Sequence, residues 1–318
     1  MNPKSPNSNP NSQPLPTAAL GRTGLRVSRL GHGAMEVRGS RIWGGRPVTD
    51  AQAEKILNQT LDVGINFIDT SNDYGRSEEF IGKFLSKRRS NFFLATKCGC
   101  TVVHKDANTD DTPHVWTRAN VFRGLHESLE RMKTDYVDVM QLHNPSVEDC
   151  RREDMIQALQ DMRKEGKARW IGISTTLPFL PEYLNMGVFD VFQIPYSALQ
   201  REHEEWISKA AAAGIGTIIR GGVARGEPGA GLGDADGWKK FEAAKLDELC
   251  AEGESRTAFL LRFTLSHPDV HTTIVGTLHP EHLQENARVA AQGPLPAKVY
   301  AEAKRRLDSV GVRPSATA

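Results

Sequence analysis

Residues 66–74 read Asn-Phe-Ile-Asp-Thr-Ser-Asn-Asp-Tyr, and the interpretation of the chain starts from them. The apolar run that ends at Asp69 is typical of a buried parallel strand, which would leave the carboxylate at the strand's carboxyl end. Tyr74 follows on a turn that the surrounding Asn, Asp and Gly residues indicate. The stretch therefore predicts a carboxylate and a phenol close together at one edge of a sheet.

Two later apolar runs also end in a polar side chain that can take part in catalysis. Residues 91–97, Asn-Phe-Phe-Leu-Ala-Thr-Lys, end at Lys97, and residues 136–143, Tyr-Val-Asp-Val-Met-Gln-Leu-His, end at His143. Taken singly, each such residue is more typical of a turn, a helix cap or a solvated strand end. α/β barrels, however, build active sites from the carboxyl ends of several strands. The ordered set therefore favours an active site containing Asp69, Tyr74, Lys97 and His143.

Strand and helix patterns alternate along the chain, giving eight predicted strands. A doubly wound open sheet and a closed (β/α)8 TIM barrel both fit this alternation. The first strand–helix junction lacks GxGxxG, which counts against the dinucleotide-binding open sheet, so we predict the α/β barrel. It should occupy residues 19–318 as a single domain, with one continuous helix from about residue 147 to residue 165. Residues 1–18 are rich in Asn, Pro and Ser, which predicts a disordered tail and no signal peptide.

The composition is ordinary for a soluble globular protein, with 39% hydrophobic and 25% charged residues. A formal net charge of +1 gives no reason to expect a nucleic-acid or membrane partner, and no apolar run approaches the roughly 20 residues of a membrane span. The four cysteines form no CxxC pair, and the histidines show no clustering typical of metal ligands. We therefore expect a cytoplasmic protein with free thiols and no metal site. The sequence does not predict the oligomeric state.

The stretches NFIDTSNDYG, LATK and DYVDVMQLH together resemble the catalytic tetrad motifs of the aldo-keto reductases. The resemblance covers nearly everything from residue 20 to about residue 290, and it places Asp69, Tyr74, Lys97 and His143 in the tetrad positions. It implies an enzyme that transfers a hydride between NAD(P)H and an aldehyde, ketone or sugar. A sugar dehydrogenase working in the oxidative direction stays open. So does a nicotinamide-binding regulatory or channel-associated subunit with little turnover.

The tetrad chemistry depends on the acidity of one phenol. A free tyrosine has a pKa of about 10, so Tyr74 alone would be a poor proton donor. An ammonium group at Lys97 would favour the phenolate and lower the pKa of Tyr74, while Asp69 would hold Lys97 charged and in place. A neutral His143 could donate a hydrogen bond to the substrate oxygen. General acid catalysis of this kind typically contributes about 10²- to 10⁴-fold.

The resemblance extends to the residues expected around the nicotinamide. Ser174 and Thr175 align with a Gly-x-Ser-Asn motif that binds the carboxamide, but Thr175 replaces the asparagine. Gln193 matches a glutamine at the same site. Arg220 stands where the family usually has an aromatic residue, and its planar guanidinium could stack on the ring. The glycine-rich segment that follows predicts either a mobile flap over the pyrophosphate or a disordered surface loop, with cofactor contacts from Gly221, Val223 and Arg225.

The adenosine end of the cofactor is expected at residues 276–286. Thr277 resembles part of a clamp for the 2′-phosphate, and Glu285 and Asn286 resemble the pair beside the adenine. Gly276 stands where many members have a lysine, and His282 where they have an arginine. The resemblance therefore predicts NADPH over NADH, but by a smaller margin than in members with the full clamp.

Overall fold

Eight parallel strands close into a barrel in the computed structural model, which describes residues 14–229 and 231–316. The predicted (β/α)8 fold class is thus confirmed. Strands in the described ranges are β1 Thr17–Ala19, β2 Arg26–Ser28, β3 Leu30–Gly33, β4 Phe67–Asp69, β5 Phe93–Cys98, β6 Val103–His104, β7 Asp110–Asp111, β8 Val137–His143, β9 Ala168–Ser174, β10 Val191–Pro195, β11 Gly216–Arg220 and β12 Thr272–Val275. Around the barrel the strand order is β3, β4, β5, β8, β9, β10, β11, β12 and back to β3.

Helices cover the outside of the barrel. In the same ranges they are α1 Asp50–Asp62, α2 Ser77–Leu85, α3 Arg118–Met132, α4 Val147–Arg152, α5 Met155–Lys164, α6 Leu180–Met186, α7 Glu204–Ala212, α8 Ala235–Ala243, α9 Arg256–Ser266, α10 Pro280–Gln292 and α11 Ala297–Ser309. Short 3₁₀ helices lie at Gly21–Thr23, Ala34–Arg38, Ser86–Asn91 and Leu246–Leu249. Within these ranges we find no helix with the length and apolar character that crossing a membrane requires.

Local sequence signals set where these helices begin. Thr49 and Gln52 form a reciprocal capping box at the start of α1, and the side chain of Thr117 accepts from the backbone N–H of Asn120 at the start of α3. Pro280 opens α10, where its missing N–H costs no hydrogen bond. Each helix then turns an apolar face to the strands, as α1 does with Ala53, Ile56, Leu57 and Leu61.

The amino-terminal end of the barrel is closed by an antiparallel hairpin. β1 pairs with β2, with Ala18 opposite Val27. Val27 packs with barrel-interior side chains in a cluster made of Leu20, Leu25, Val27, Phe67, Phe93, Ala95, Val139, Val191 and Ile218. This plug leaves the carboxyl end of the barrel as the end that can open to a ligand.

Two predicted segments differ from the structure. The predicted disordered tail is too long, because Leu15 is buried and residues 17–19 form β1, while residues 1–13 lie outside the described range. The single helix predicted over residues 147–165 is two helices, α4 and α5. The break falls at Asp154, which takes a left-handed conformation with φ of 51°. Aspartate tolerates this region better than most residues, and periodicity alone does not reveal it.

Two connecting segments also contain regular structure. The loop between β5 and α3 includes the β6–β7 hairpin, where Arg41 binds Asp110 at 2.6 Å. The glycine-rich segment after β11 leads into α8 at Ala235, which is capped by Asp234, whose side chain accepts from the backbone N–H of Gly237 at 2.7 Å. Trp238 and Phe241 anchor α8 in the core.

Candidate active site

Three neighbouring barrel strands deliver the acid, the base and the imidazole that the sequence predicts. β4 ends at Asp69, β5 carries Lys97 as its next-to-last residue, and β8 ends at His143. Asp69 pairs in register with Ala95, and Lys97 pairs with Gln141. Because side chains alternate along a strand, Lys97 shares a face with Ala95, and His143 shares a face with Gln141. All of these side chains therefore meet inside the carboxyl end of the barrel.

Asp69 and Lys97 form a buried, fully hydrogen-bonded ion pair. Lys97 Nζ donates to Asp69 Oδ2 at 2.5 Å and to the carbonyl of Thr70 at 2.8 Å. The other carboxylate oxygen accepts from the side-chain amides of Gln141 at 2.9 Å and Gln193 at 2.8 Å. Burial is the largest single effect and works to lower the pKa of Lys97, but the charges of Asp69 and Tyr74 and the hydrogen bond to Asp69 together outweigh it, so the pKa is raised. Lys97 is thus held as an ammonium ion.

Tyr74 lies against this ammonium group. Lys97 Nζ is 4.9 Å from the centroid of the Tyr74 ring, and the Tyr74 side chain is 9% exposed. Burial raises the pKa of Tyr74, while the charge of Lys97 lowers it and those of Asp69 and Asp73 raise it further. The expected direction of the Lys97 effect is correct. The net pKa shift differs from the expectation, however: desolvation of the phenolate outweighs the effect of the ammonium, and the pKa of Tyr74 is raised.

His143 contacts the other side of Tyr74 and a polar group that the sequence interpretation missed. The two rings meet edge to face, 6.0 Å apart. His143 Nδ1 lies 3.2 Å from Cys100 Sγ, 3.4 Å from Ser71 Oγ and 3.5 Å from Asp73 Oδ1. Burial alone would raise the pKa of Asp73, but its bonds with His143 and Ser71 hold it at about 2. Ser71 and Asp73 stand in the stretch quoted first, whose sequence indicates only a turn at Asp73.

A cavity of about 940 Å³ opens above these residues at the carboxyl end of the barrel. Asp69, Tyr74 and His143 line its floor, and Lys97 lies beneath, fully buried. The predicted cofactor residues that line the wall are Ser174, Gln193, Arg220, Gly221, Val223, Arg225, Gly276, Thr277, His282, Glu285 and Asn286. One cavity thus brings the predicted catalytic and cofactor positions together.

The expected carboxamide site is arranged differently from the motif. Thr175 is buried outside the cavity wall, and its hydroxyl has no hydrogen-bond partner among the described residues. Asn144 lines the cavity instead, with its side-chain oxygen accepting from Ser174 Oγ at 3.0 Å, which leaves its amide N–H groups free to donate. Gln193 uses its amide nitrogen on Asp69. Asn144 was missed because its left-handed backbone, with φ of 58°, gives no sequence signal beyond a turn.

Arg220 places a poorly satisfied cation in the cavity. It ends β11, and its Nε is buried without a partner in the described part of the chain. Burial lowers the pKa of Arg220, while the charges of Tyr74 and Asp69 act in the opposite direction. The glycine-rich segment after it forms consecutive turns, in which the backbone N–H of Ala224 donates to Gly221 and that of Leu232 donates to Arg225.

At the far end of the cavity the expected clamp lacks a lysine for a steric reason. A Cβ at Gly276 would overlap the carbonyl oxygen of Gly33. His282 is exposed, and its ring centroid lies 4.9 Å from that of His279. Glu285, expected at the adenine, is paired with Arg288 at 2.6 Å. This end therefore offers two imidazoles, a hydroxyl and backbone amides to an anion.

The expectation that the histidines do not cluster is wrong at one place. Ligand atoms of Cys100, His114 and His143 all lie within 4.8 Å of one another. Sequence spacing could not show this, because the three residues come from the end of β5, the following loop and the end of β8. The fold alone brings them together.

A closed parallel barrel with this arrangement at its carboxyl end defines an α/β-barrel oxidoreductase, and comparison with known proteins agrees. The family model of the Aldo/keto reductase family matches residues 29–307. The oxidoreductase YqkF of Bacillus subtilis is 29% identical over 291 residues, covering 85% of this chain and 90% of YqkF. L-galactose dehydrogenase of Arabidopsis thaliana is 27% identical over 297 residues, covering 86% and 88%.

A solved structure agrees with the sequence relatives. The holo form of the aldo-keto reductase AKR11C1 from Bacillus halodurans superposes with a TM-score of 0.80 at 27% identity, covering 92% of this chain and 96% of that one. The chain belongs to the aldo/keto reductase family. It is therefore an oxidoreductase for carbonyls and alcohols, in a family that uses nicotinamide cofactors.

Proposed function

We propose that the protein is an NAD(P)H-dependent reductase that interconverts a carbonyl and an alcohol, with Tyr74 as general acid and base. The observation that carries the proposal is the placement of one phenol. Tyr74 faces the cavity and lies against an ammonium group that Asp69 holds charged. A buried Asp–Lys pair beneath a cavity-facing phenol stabilises the phenolate and so supports proton transfer to and from a ligand in the cavity.

The cavity fits a nicotinamide cofactor. Among the described residues, its wall carries Arg220, whose Nε is buried without a hydrogen-bond partner, and Asn144, whose side-chain oxygen accepts from Ser174 so that its amide N–H groups can donate to a ligand. Ser174, Asn144 and Gln193 would surround the carboxamide, and Arg220 would lie at the ring. When bound, the cofactor supplies or accepts the hydride.

The protein side chains then handle the proton and the substrate oxygen. In reduction Tyr74 gives its phenolic proton to the oxygen that was the carbonyl, and in oxidation it takes that proton back. The Lys97 ammonium stabilises the resulting phenolate, and Asp69 keeps Lys97 charged. His143, whose edge faces Tyr74, donates a hydrogen bond that holds the substrate oxygen in place.

NADPH is the cofactor that we propose, with a modest preference over NADH. The 2′-phosphate carries up to about two negative charges at neutral pH. Arg225, His279 and His282 line the cavity, and Thr277 adds a hydroxyl. The backbone amides at the start of α10 add to this anion site. An imidazole is a less permanent cation than the lysine or the arginine of the full clamp, so the preference for NADPH should be modest.

A substrate panel with both cofactors tests the proposal. Aromatic aldehydes, ketones and aldoses are supplied with NADPH or NADH, and polyols and sugars with the oxidised cofactors, and cofactor absorbance is followed. We expect turnover with at least one carbonyl, faster with NADPH at limiting cofactor. Cofactor binding without turnover on any substrate would overturn the proposal and favour the alternative of a regulatory subunit.

A further inference from the structure

A compact group of metal-binding side chains lies beside the candidate active site. Cys100 Sγ is 3.2 Å from His143 Nδ1, and a ring nitrogen of His114 completes a set whose atoms are all within 4.8 Å of one another. Asp73 Oδ1 lies 3.5 Å from the same Nδ1. A thiol and two imidazoles thus face one small volume, and a carboxylate lies at its edge next to His143.

We propose that Cys100, His114 and His143 bind one divalent metal ion of the zinc type, with Asp73 as the fourth donor. Zinc prefers cysteine sulfur, histidine nitrogen and carboxylate oxygen in a tetrahedral arrangement. In such a site, ligand atoms about 2.0–2.3 Å from the metal stand roughly 3.3–3.8 Å apart. The contact of His143 Nδ1 with Asp73 Oδ1, at 3.5 Å, falls in that range, and its contact with Cys100 Sγ, at 3.2 Å, lies just below it.

The remaining ligand can move into place at little cost. His114 is exposed, and its ring stacks on Trp116 with an interplanar angle of 9° and a centroid separation of 5.4 Å. The His114 ring nitrogen must move about 1 Å closer to the other ligand atoms, and rotation of an exposed side chain allows this movement. The more buried ligands, Cys100 and His143, stand on or next to barrel strands and need no such movement.

Charge and proton balance suit a divalent ion. The Cys100 thiol loses its proton to solvent as the metal–sulfur bond forms, so that thiolate and Asp73 carboxylate together balance the two positive charges. The side chains of Cys100 and Asp73 are both buried, and a metal ion bound between them would replace the hydrogen bond that joins them. Redox-inactive zinc makes these bonds without electron transfer.

Metal ligation also has a defined consequence for His143. Binding through Nδ1 leaves the proton on Nε2 and fixes the orientation of the ring. His143 lines the cavity, so the fixed ring presents a neutral N–H donor there. The metal would further tie the loop that carries His114 to the ends of two barrel strands. The binding itself does not depend on whether the proposed reductase activity is correct.

Cobalt(II) titration of the full chain tests the proposal, because a cobalt–thiolate bond gives a charge-transfer band in the near ultraviolet. The protein is stripped with a chelator, freed of it, and kept reduced and anaerobic. We expect one cobalt per chain, the thiolate band, and loss of the band when Zn²⁺ displaces cobalt. Turnover is not measured, so failure of the reductase proposal cannot be mistaken for failure of the metal site.

Variants assign the site. Cys100→Ser should abolish the charge-transfer band, and His114→Gln should weaken cobalt binding by at least about tenfold. Cys250→Ser is the matched control, because its half-buried thiol contacts the carbonyl of Leu246 elsewhere in the fold, and it should leave the band unchanged. A wild-type protein that binds no cobalt, or a band that persists in Cys100→Ser, would overturn the proposal.

Discussion

Lys97 has the most constrained environment of the candidate catalytic residues. Its ammonium is completely buried, yet it stays charged because Asp69 and a backbone carbonyl accept hydrogen bonds from it. Asp69 is in turn fixed by two glutamine amides. Breaking such a pair from one side leaves a buried charge without compensation, which typically costs about 3–5 kcal/mol. The paired and hydrogen-bonded arrangement thus keeps a positive charge next to the Tyr74 phenol.

Replacing Lys97 should therefore change both rate and pH dependence. Because the ammonium lowers the pKa of Tyr74, Lys97→Met should raise the apparent pKa of the essential acid. A proton donor works below its pKa, so the fall in reduction rate at high pH should move to still higher pH, while the maximal rate drops by at least about 10²-fold. Lys83→Met, at an exposed lysine paired with Asp50, is the control. An unchanged pH–rate profile would show that Lys97 does not tune Tyr74.

The phosphate end of the cavity gives a second prediction at single-residue resolution. His282 is exposed at the cavity wall, so His282→Arg adds a permanent cation without steric conflict and should strengthen NADPH binding about tenfold relative to NADH. Gly276→Lys should fail to do so, because its Cβ would overlap the carbonyl of Gly33. Fluorescence titration of both cofactors measures the ratio. Equal ratios in wild type and His282→Arg would place the phosphate elsewhere.

Among the elements, the strands that end in the active site were the most predictable. Residues 66–69, 91–97 and 136–143 are largely apolar runs that each end in a charged or imidazole side chain, a pattern typical of strands buried in a parallel sheet. Contacts between elements could not be predicted in the same way. The bonds of Gln193 to Asp69 and of Ser174 to Asn144 join residues far apart in sequence, and nothing local encodes them.

Helix breaks and irregular segments were the other features that the sequence did not predict. Asp154 interrupts one apolar periodicity by a single left-handed residue, and the periodicity continues on both sides of it. The glycines before α8 hid a helix start that Asp234 caps. In both places one backbone conformation decides the outcome, and side-chain pattern carries little information about it.

The packing of α2 on α3 makes a prediction at the scale of elements. Gly82 lies in α2 where an added Cβ would overlap the backbone carbonyl of Arg131 in α3. Gly82→Ala should destabilise the protein by about 1–3 kcal/mol despite the better helix propensity of alanine. Gly237→Ala in α8 is the control, since the nearest atom to its Cβ is the movable carboxylate of Asp234 at 3.3 Å. Denaturant unfolding should show destabilisation in the first variant only, and similar values would refute the close helix contact.

Over the whole molecule, stability and chemistry are separated between the two ends of the barrel. The hairpin of β1 and β2 fills the amino-terminal end with apolar side chains, whereas the carboxyl end holds the ion pair, the phenol and the cavity. This division is general among α/β barrels. We therefore expect that packing at the amino-terminal end of the barrel can be weakened without disturbing the geometry around Tyr74.

Val27 tests this separation. Its side chain is fully buried in the plug, so Val27→Ala should lower the free energy of unfolding by about 2 kcal/mol and leave KM and kcat within about twofold. Val103→Ala, at a valine that is 45% exposed, should change neither. A large loss of activity in folded Val27→Ala would show that the two ends of the barrel are coupled.

The central claim is that Tyr74 transfers the proton, and Tyr74→Phe tests it most directly. The substitution removes one hydroxyl and keeps the ring against Lys97 and His143. With the best carbonyl from the panel, kcat should fall by about 10²- to 10⁴-fold, whereas the Kd for NADPH from fluorescence titration should stay within about twofold. A variant that reduces the carbonyl at close to the wild-type kcat would contradict the account.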